Sequence, residues 1–339
     1  MDGKVKVGVI GVGHLGSLHA KMYSSIKNAE FIGVYDINTE RAWSVAKEFR
    51  VRSFATIDEL YAAVNAVSIA TPTSTHSDIA LQALRKGLHL FIEKPITKTV
   101  KEAELLIAES ERTKKKVQIG HIERFNPAIL SVGHMNLDPL FIESHRMAQF
   151  KPRGTDVAVV LDLMIHDIDI ILSLVKAPVE KIDASGVGIV SENIDIANAR
   201  IQFANGCVAN VTASRISQRA MRKMRLFQSN AYISIDFSGG TAEVFRLVDS
   251  KDRSVKATRL LGQIDSGPVK RNIVYERPKP KKVNALQYEL ELFLQSILDD
   301  TVPVVSAQDG KRALEVAQEI IATIEKQQQK YRKVIDQVS

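Results

Sequence analysis

Four groups of residues have the types and spacing that chemistry needs. Glu93-Lys94-Pro95 closes the apolar run Leu88-His89-Leu90-Phe91-Ile92, so an acid and an amine follow directly on what reads as a buried parallel strand. Upstream, Gly11-Val12-Gly13-His14-Leu15-Gly16 spaces three glycines as a strand-to-helix turn must when its backbone approaches a pyrophosphate. Asp36 lies 20 residues past Gly16, where a carboxylate can hold ribose hydroxyls. Downstream, Asp162, His166 and Asp169 stand at i, i+4 and i+7 in a very apolar stretch. On an α-helix those three fall within roughly 60° of one another.

The chemistry these groups suit is hydride transfer at an alcohol carbon. Oxidising an alcohol requires loss of the hydroxyl proton as hydride leaves carbon. His166 has a suitable ordinary pKa for the base. Lys94 can stabilise the developing alkoxide, or be the base itself with the assignment reversed. Asp162 can orient His166 or hold a substrate hydroxyl, and Asp169 suits a structural pairing. Each pattern has a plainer counterpart: a strand–helix turn without a ligand, a charged loop, an Asp–His pair in a core. Asp36 would repel a 2′-phosphate, so NAD is expected over NADP, although Arg41 nearby can accommodate that phosphate. Thr71-Pro72-Thr73 follows another buried strand, and its backbone can line the ribose or nicotinamide. Ser74 and Thr75 equally suit a helix cap. His76 is either a cofactor contact or a helix-start residue. Arg124, Asn126 and Arg153 are substrate-contact candidates near a domain junction, since arginine suits a diphosphate; surface solvation is the alternative. The basic stretch Arg215, Arg219, Arg222, Lys223 and Arg225 reads mainly as solvated surface or an oligomer contact.

The elements that must position these groups follow from periodicity. Strands are expected at 5–10, 31–35, 66–70, 88–92 and 117–120, alternating with helices at 15–23, 41–49, 76–86 and 100–113. That rhythm implies a doubly wound parallel sheet. The rhythm then changes to one strong helix, 157–175, and a run of strands at 194–203, 207–214, 224–228, 231–237 and 243–248, with Asn205-Gly206 as a hairpin turn. Residues 262–282, rich in proline and basic side chains near their end, read as a mobile loop. Helices at 283–298 and 308–329 close the chain. The fold class is α/β: a Rossmann domain over 1–122, then an α+β domain over 123–339 with a large, mostly antiparallel open sheet. The C-terminal helices are candidates to pack back on the first domain.

Composition sets the outer bounds. The chain has 339 residues, 45% hydrophobic and 25% charged, which suits two ordinary soluble domains. Its net charge of +7 fits either a mildly basic surface or affinity for phosphorylated and nucleotide-linked ligands. No aromatic-interleaved basic stripe marks a nucleic-acid binder. Cys207 is the only cysteine, so an intrachain disulfide and a cysteine-based metal site are excluded, and no metal is expected. No stretch is long and apolar enough to span a membrane, and residues 1–4 run straight into a strand, so a cytoplasmic protein is expected.

Taken together, the chain resembles the glucose–fructose oxidoreductase / inositol dehydrogenase / MocA family. The resemblance rests on Gly11-Val12-Gly13-His14-Leu15-Gly16 with His19 beyond, Ala70-Thr71-Pro72-Thr73-Ser74-Thr75-His76, Glu93-Lys94-Pro95, and Asp162-Leu163-Met164-Ile165-His166-Asp167-Ile168-Asp169. It implies a Rossmann domain and a C-terminal α/β domain with the active site between them. It further implies oxidation or reduction of hydroxyl or carbonyl groups on sugars, inositols or sugar nucleotides, and dimers or tetramers packed through the open sheets. Lys94, Asp162 and His166 would surround the reacting carbon, Glu93 and Lys94 would face the cofactor, and the Lys-Pro peptide would often be cis. Residues 120–127 and 160–169 resemble the branch that includes UDP-N-acetylglucosamine 3-dehydrogenases. Two alternatives stay open: an enzyme for an inositol or non-sugar carbonyl, and a catalytically silent NAD-binding regulator. Retention of Lys94, Asp162 and His166 argues against the second.

Overall fold

Apolar runs flanked by amphipathic segments become alternating strands and helices in the computed structural model, which describes residues 3–150, 157–250, 259–266 and 269–338. In chain order these are β1 (Val5–Ile10), α1 (His14–Tyr23), β2 (Ala29–Tyr35), α2 (Thr39–Phe49), β3 (Arg52–Ser53), α3 (Ile57–Ala63), β4 (Ala66–Ile69), α4 (His76–Arg85), β5 (His89–Glu93), α5 (Val100–Thr113) and β6 (Val117–Gly120). The strands form one parallel sheet in the order β3-β2-β1-β4-β5-β6. Side chains start the helices where local chemistry allows. Asn38 caps α2, Thr56 caps α3, and Thr99 with Glu102 forms a capping box on α5. β1, β4 and β5 are buried on both faces, which is why they read as continuous apolar runs.

The chain then continues through α6 (Pro127–Val132), β7 (Phe141–Met147) and α7 (Ile165–Leu174), the last preceded by a π-helical turn at Val160–Met164. A strand run follows: β8 (Val179–Val187), β9 (Ile196–Phe203), β10 (Val208–Ser214), β11 (Met221–Gln228), β12 (Ala231–Asp236), β13 (Thr241–Asp249), β14 (Arg259–Ser266) and β15 (Val269–Glu276). These make a nine-stranded sheet in the order β14-β15-β13-β12-β11-β7-β10-β9-β8. Only the β7–β10 pairing is parallel. One face of this sheet is buried, as Ala197, Ala199, Ile201 and Phe203 show along β9. The opposite face carries Phe141, Phe227, Tyr232, Phe245 and Tyr275, cross-strand neighbours whose ring centroids are 5.0–5.8 Å apart. Asn205-Gly206 turns the β9–β10 hairpin with Gly206 at φ +85°.

Helices α8 (Ala285–Leu298) and α9 (Ala307–Val338) end the chain. Two compact units result: Met1–Phe125 with Val283–Glu315, and Asn126–Lys282 with Val316–Ser339. In the first, Leu290, Phe293 and Leu294 of α8 join a core with Val5, Val7 and Val9 of β1, Phe91 of β5, and Ala20 and Tyr23 of α1.

Two expectations need correction. The segment expected as a mobile loop, 262–282, holds part of β14 and all of β15. Its strand-forming residues Ile273, Val274 and Tyr275 pair with β13, and the proline–lysine cluster begins only after Glu276. The last helix runs to Val338 rather than about 329, because no glycine or proline after Gly310 stops it. Among the described residues no helix is long and apolar enough to cross a membrane.

Candidate active site

In the first unit the sheet order reverses between β1 and β4, and open α/β sheets bind ligands outside their strand ends at such a point. The glycine turn after β1 is built as its spacing predicts. Gly11 adopts φ +80°, and a Cβ there would lie 2.7 Å from Thr71 Cγ2. A Cβ on Gly16 would overlap the Gly11 carbonyl. Gly13 differs, since the space beside it is open and its nearest neighbour would be Arg41 Nη1 at 4.0 Å. Gly13 is also the N-cap of α1 and offers no capping side chain, so the first N–H groups of the helix remain for a ligand. A pyrophosphate fits that cradle, and Arg41 stands beside it. His14 and Leu15, the first residues of α1, are exposed.

Asp36 is 8% exposed at the end of β2. Its Oδ2 accepts from Val12 N–H at 2.7 Å and its Oδ1 from Asn38 N–H at 2.8 Å, so the carboxylate is fixed against the glycine turn. A fixed negative charge there suits ribose hydroxyls and opposes a 2′-phosphate. After β4, Thr71 and Thr73 are half-buried and Pro72 is exposed. Thr75 does not cap α4 through its side chain; its Oγ1 instead lies 2.8 Å from both Thr71 Oγ1 and the Pro72 carbonyl, closing this turn on itself.

The Glu93-Lys94-Pro95 turn leaves the neighbouring strand β5, and its Lys94–Pro95 peptide is cis. Glu93 Oε1 lies 2.8 Å from Nε2 of His19, which is fully buried on α1 and edge-on to Phe91. Burial by itself pushes the Glu93 carboxyl up, but the His19 hydrogen bond and the charges of His19 and Lys94 outweigh it and hold the group below the usual range. Lys94 is half-buried. His76 faces inward: it is 1% exposed, with Nδ1 3.0 Å from the Pro95 carbonyl and Nε2 2.9 Å from the Thr71 carbonyl. Both ring nitrogens are engaged with backbone carbonyls of the Thr71 and Pro95 turns. The pairing role of His19 was missed in the sequence; its one trace is a histidine three residues past Gly16.

In the second unit Asp162 lies within the π-turn and His166 in the first turn of α7. The wider turn departs from a uniform α-helix, and such turns recur at functional sites. Asp162 and His166 are half-buried, while Asp167 and Asp169 are each 1% exposed. Asp167 pairs bidentately with Arg146 of β7 at 2.8 and 3.0 Å. Between β8 and β9, buried Asp195 accepts from the N–H groups of Ile189, Val190 and Ser191. Its Oδ1 lies 3.8 Å from Arg215 Nε, and Arg215 donates to the Val157 carbonyl. Arg215 is therefore a buried tether, not solvated surface; Arg219, Arg222 and Lys223 are exposed. Arg146, Asp167, Asp195 and Arg215 together fix the segment bearing Asp162 and His166, and none announced that role in sequence.

The three substrate candidates separate. Asn126 caps α6, its Oδ1 accepting from Ala128 N–H at 3.0 Å, and donates from Nδ2 to the Phe237 carbonyl at 3.1 Å. Arg124 lies 3.7 Å from Asp309 Oδ1. Arg153 lies outside the described residues. No cluster of three or more histidine, cysteine or acidic side chains suited to a metal ion occurs among the described residues.

This fold and glycine turn define a nicotinamide-binding oxidoreductase. The oxidoreductase family with an NAD-binding Rossmann fold matches residues 5–121, and the GFO/IDH/MocA C-terminal domain matches 128–240. The chain belongs to this family and is an NAD-dependent dehydrogenase. Among curated relatives, UDP-N-acetylglucosamine 3-dehydrogenase of Acidithiobacillus ferrooxidans is 38% identical over 95% of this chain and 97% of its own length. A solved structure of that enzyme superposes with a TM-score of 0.85, covering 95% and 98% of the two chains. Glucose-6-phosphate 3-dehydrogenase of Bacillus subtilis is 40% identical, but over 35% of this chain and 34% of its own. Levoglucosan dehydrogenase in complex with NADH and levoglucosan, at 17% identity and a TM-score of 0.80 over 95% and 98% of the chains, shares the fold.

Proposed function

We propose that this dehydrogenase oxidises a sugar-nucleotide hydroxyl, with the 3-hydroxyl of UDP-N-acetylglucosamine as the first candidate. The observation that carries the reading is the 38% identity to the Acidithiobacillus ferrooxidans enzyme over nearly the whole of both chains. Bound NAD supplies the hydride acceptor. Lys94, His166 and Asp162 are the proposed catalytic residues. His166 takes the hydroxyl proton, the role for which histidine is the commonest side chain near neutral pH. Lys94 stabilises the oxygen as negative charge develops. Asp162 orients the imidazole. Gly11, Gly13, Gly16, Asp36, Arg41 and the Thr71–Thr73 turn hold the cofactor in the first unit, and Arg124 and Arg153 are the diphosphate candidates. The second unit is assigned to substrate binding and assembly. Its row of aromatic rings is a surface on which a second copy would bury apolar area, which supports a homodimer or homotetramer.

The test is a screen of cofactor reduction with UDP-N-acetylglucosamine, UDP-glucose, glucose 6-phosphate, free N-acetylglucosamine and myo-inositol, with products read by mass spectrometry. A 3-keto sugar nucleotide is expected. Turnover of inositol alone would move the substrate class. NAD binding without turnover of any of them would favour a regulator.

A further inference from the structure

The backbone that carries Lys94 is tied on both sides by a buried histidine. Before it, the Glu93 carboxylate is paired with His19 of α1 at 2.8 Å. After it, the Pro95 carbonyl lies 3.0 Å from His76 Nδ1 at the start of α4. Ile96 and Thr97 beyond are fully buried, so little of this loop is left to move. The other nitrogen of His76, Nε2, lies 2.9 Å from the Thr71 carbonyl in the neighbouring turn. Both partners are carbonyl oxygens, which only accept, and a neutral imidazole has one N–H to donate. Burial outweighs the backbone hydrogen bonds of Thr71, Pro95 and Ile96 and the charge of Glu93 and lowers the His76 pKa, so the ring is neutral near pH 7 and its proton must choose between the turns.

We infer that His76 is a positioning residue: its Nδ1–H donates to the Pro95 carbonyl and fixes the loop from which Lys94 projects. This rests on the reading of Lys94 as the group that steadies the reacting oxygen, and it gives that lysine a support on α4 as well as on α1. The Thr71 carbonyl is the lesser partner, because the Thr71 turn is already closed by Thr75.

Two near-isosteric variants separate the contacts. In His76→Asn the amide nitrogen reaches the position of Nδ1 and can still donate to Pro95. In His76→Gln it reaches the position of Nε2 and can donate only to Thr71. Lys94 is read directly, in the protein without cofactor, by its rate of acetylation with an N-hydroxysuccinimide ester and peptide mass spectrometry, with exposed Lys114 as the internal control. His76→Asn is expected to keep the Lys94 rate and the turnover number within about twofold of wild type. His76→Gln is expected to change both by about fivefold or more, the factor set by one neutral hydrogen bond. NAD affinity is expected to hold in both. Equal behaviour of the two variants, or an unchanged Lys94 rate in His76→Gln, would overturn the inference. If no sugar nucleotide is turned over, the proposed substrate fails while the acetylation rates still decide the role of His76. Should neither variant fold, nitrogen NMR of labelled histidine in the wild-type protein decides it. A proton on Nδ1 of His76 supports the inference, and a proton on Nε2 alone refutes it.

Discussion

Removing the carboxylate of Asp167 tests whether the helix bearing His166 is held by the ion pair behind it. Arg146 and Asp167 are 4% and 2% exposed at their side chains and share two hydrogen bonds of 2.8 and 3.0 Å. In Asp167→Ala the buried guanidinium loses this carboxylate, and breaking a buried ion pair by removing one partner costs about 3–5 kcal/mol. At about 1.36 kcal/mol per decade, exchange of the α7 amides through local opening should accelerate by two to nearly four orders of magnitude. Hydrogen-exchange mass spectrometry on peptides covering 165–174 reads this without assuming that both units unfold together. The double variant Arg146→Met/Asp167→Leu should recover most of the protection, because apolar pairs of similar volume often match a buried ion pair. A Phe237 ring 5.8 Å from the guanidinium offers an apolar surface for the new methionine. The reasoning fails if Asp167→Ala leaves exchange of 165–174 unchanged, or if the double variant is as labile as the single one.

Other consequences can be checked separately. Lys94→Ala and His166→Ala should each lower turnover by about 10²–10⁴-fold with NAD affinity near wild type, measured by steady-state kinetics and calorimetry; full activity in both would remove them from the chemistry. Asp36→Ala should weaken NAD by roughly ten- to a hundredfold, the loss of a charged hydrogen bond, and NADP by less; an unchanged ratio of the two affinities would count against its ribose role. Tyr232→Glu with Phe245→Glu should lower the sedimentation coefficient by splitting an oligomer while leaving circular dichroism unchanged, and identical sedimentation would rule out the aromatic face as the contact. Burial alone would raise the Asp195 carboxyl, but the Ser191 hydroxyl and the N–H groups of Ile189, Val190 and Ser191 hold it down to about 2 against an ordinary 3.8. A depressed acid pKa contributes stability above pH 3.8 that is lost as the pH falls through about 2. Acid unfolding should therefore steepen over that window, and Asp195→Asn, lower in stability by up to ~2 kcal/mol, should show a flatter profile.

The parts legible in the sequence were those whose environment is uniform along the chain. Val5–Ile10 and His89–Glu93 lie in the middle of a parallel sheet, so burial on both faces writes a continuous apolar run. Gly16 is required by the Gly11 carbonyl a few residues back, and Gly11 and Gly206 by the positive φ of their own turns. β7 escaped because Phe141–Met147 mixes two environments. Glu143 and His145 lie on one face, and the buried Arg146 on the other finds its partner 21 residues on. Arg215 looked like part of a basic surface because its partner Asp195 lies 20 residues earlier in another strand's approach. β15 was hidden by the Arg277–Lys282 cluster that follows it. His76 and Asn126 carry side chains that suit a ligand, and only the carbonyls they face show that backbone already occupies them.

The discontinuity of the first unit bears on how the chain is made. Residues 1–125 leave the ribosome long before 283–315, and the whole nine-stranded sheet is synthesised in between. Until Leu290, Phe293 and Leu294 arrive, the core around Val5, Val7, Val9 and Phe91 lacks the part of its cover that α8 supplies. β6 also waits: Ile119 N–H is met by the Val305 carbonyl, and Gln118 bridges to Ser306, so the sheet's edge strand stays open until the chain is nearly complete. Nascent chains thus carry an exposed edge beside an exposed apolar surface, the combination that chaperones intercept. A fragment ending at residue 122 would keep both hazards permanently, so isolating the cofactor-binding half requires splicing 283–315 back onto it.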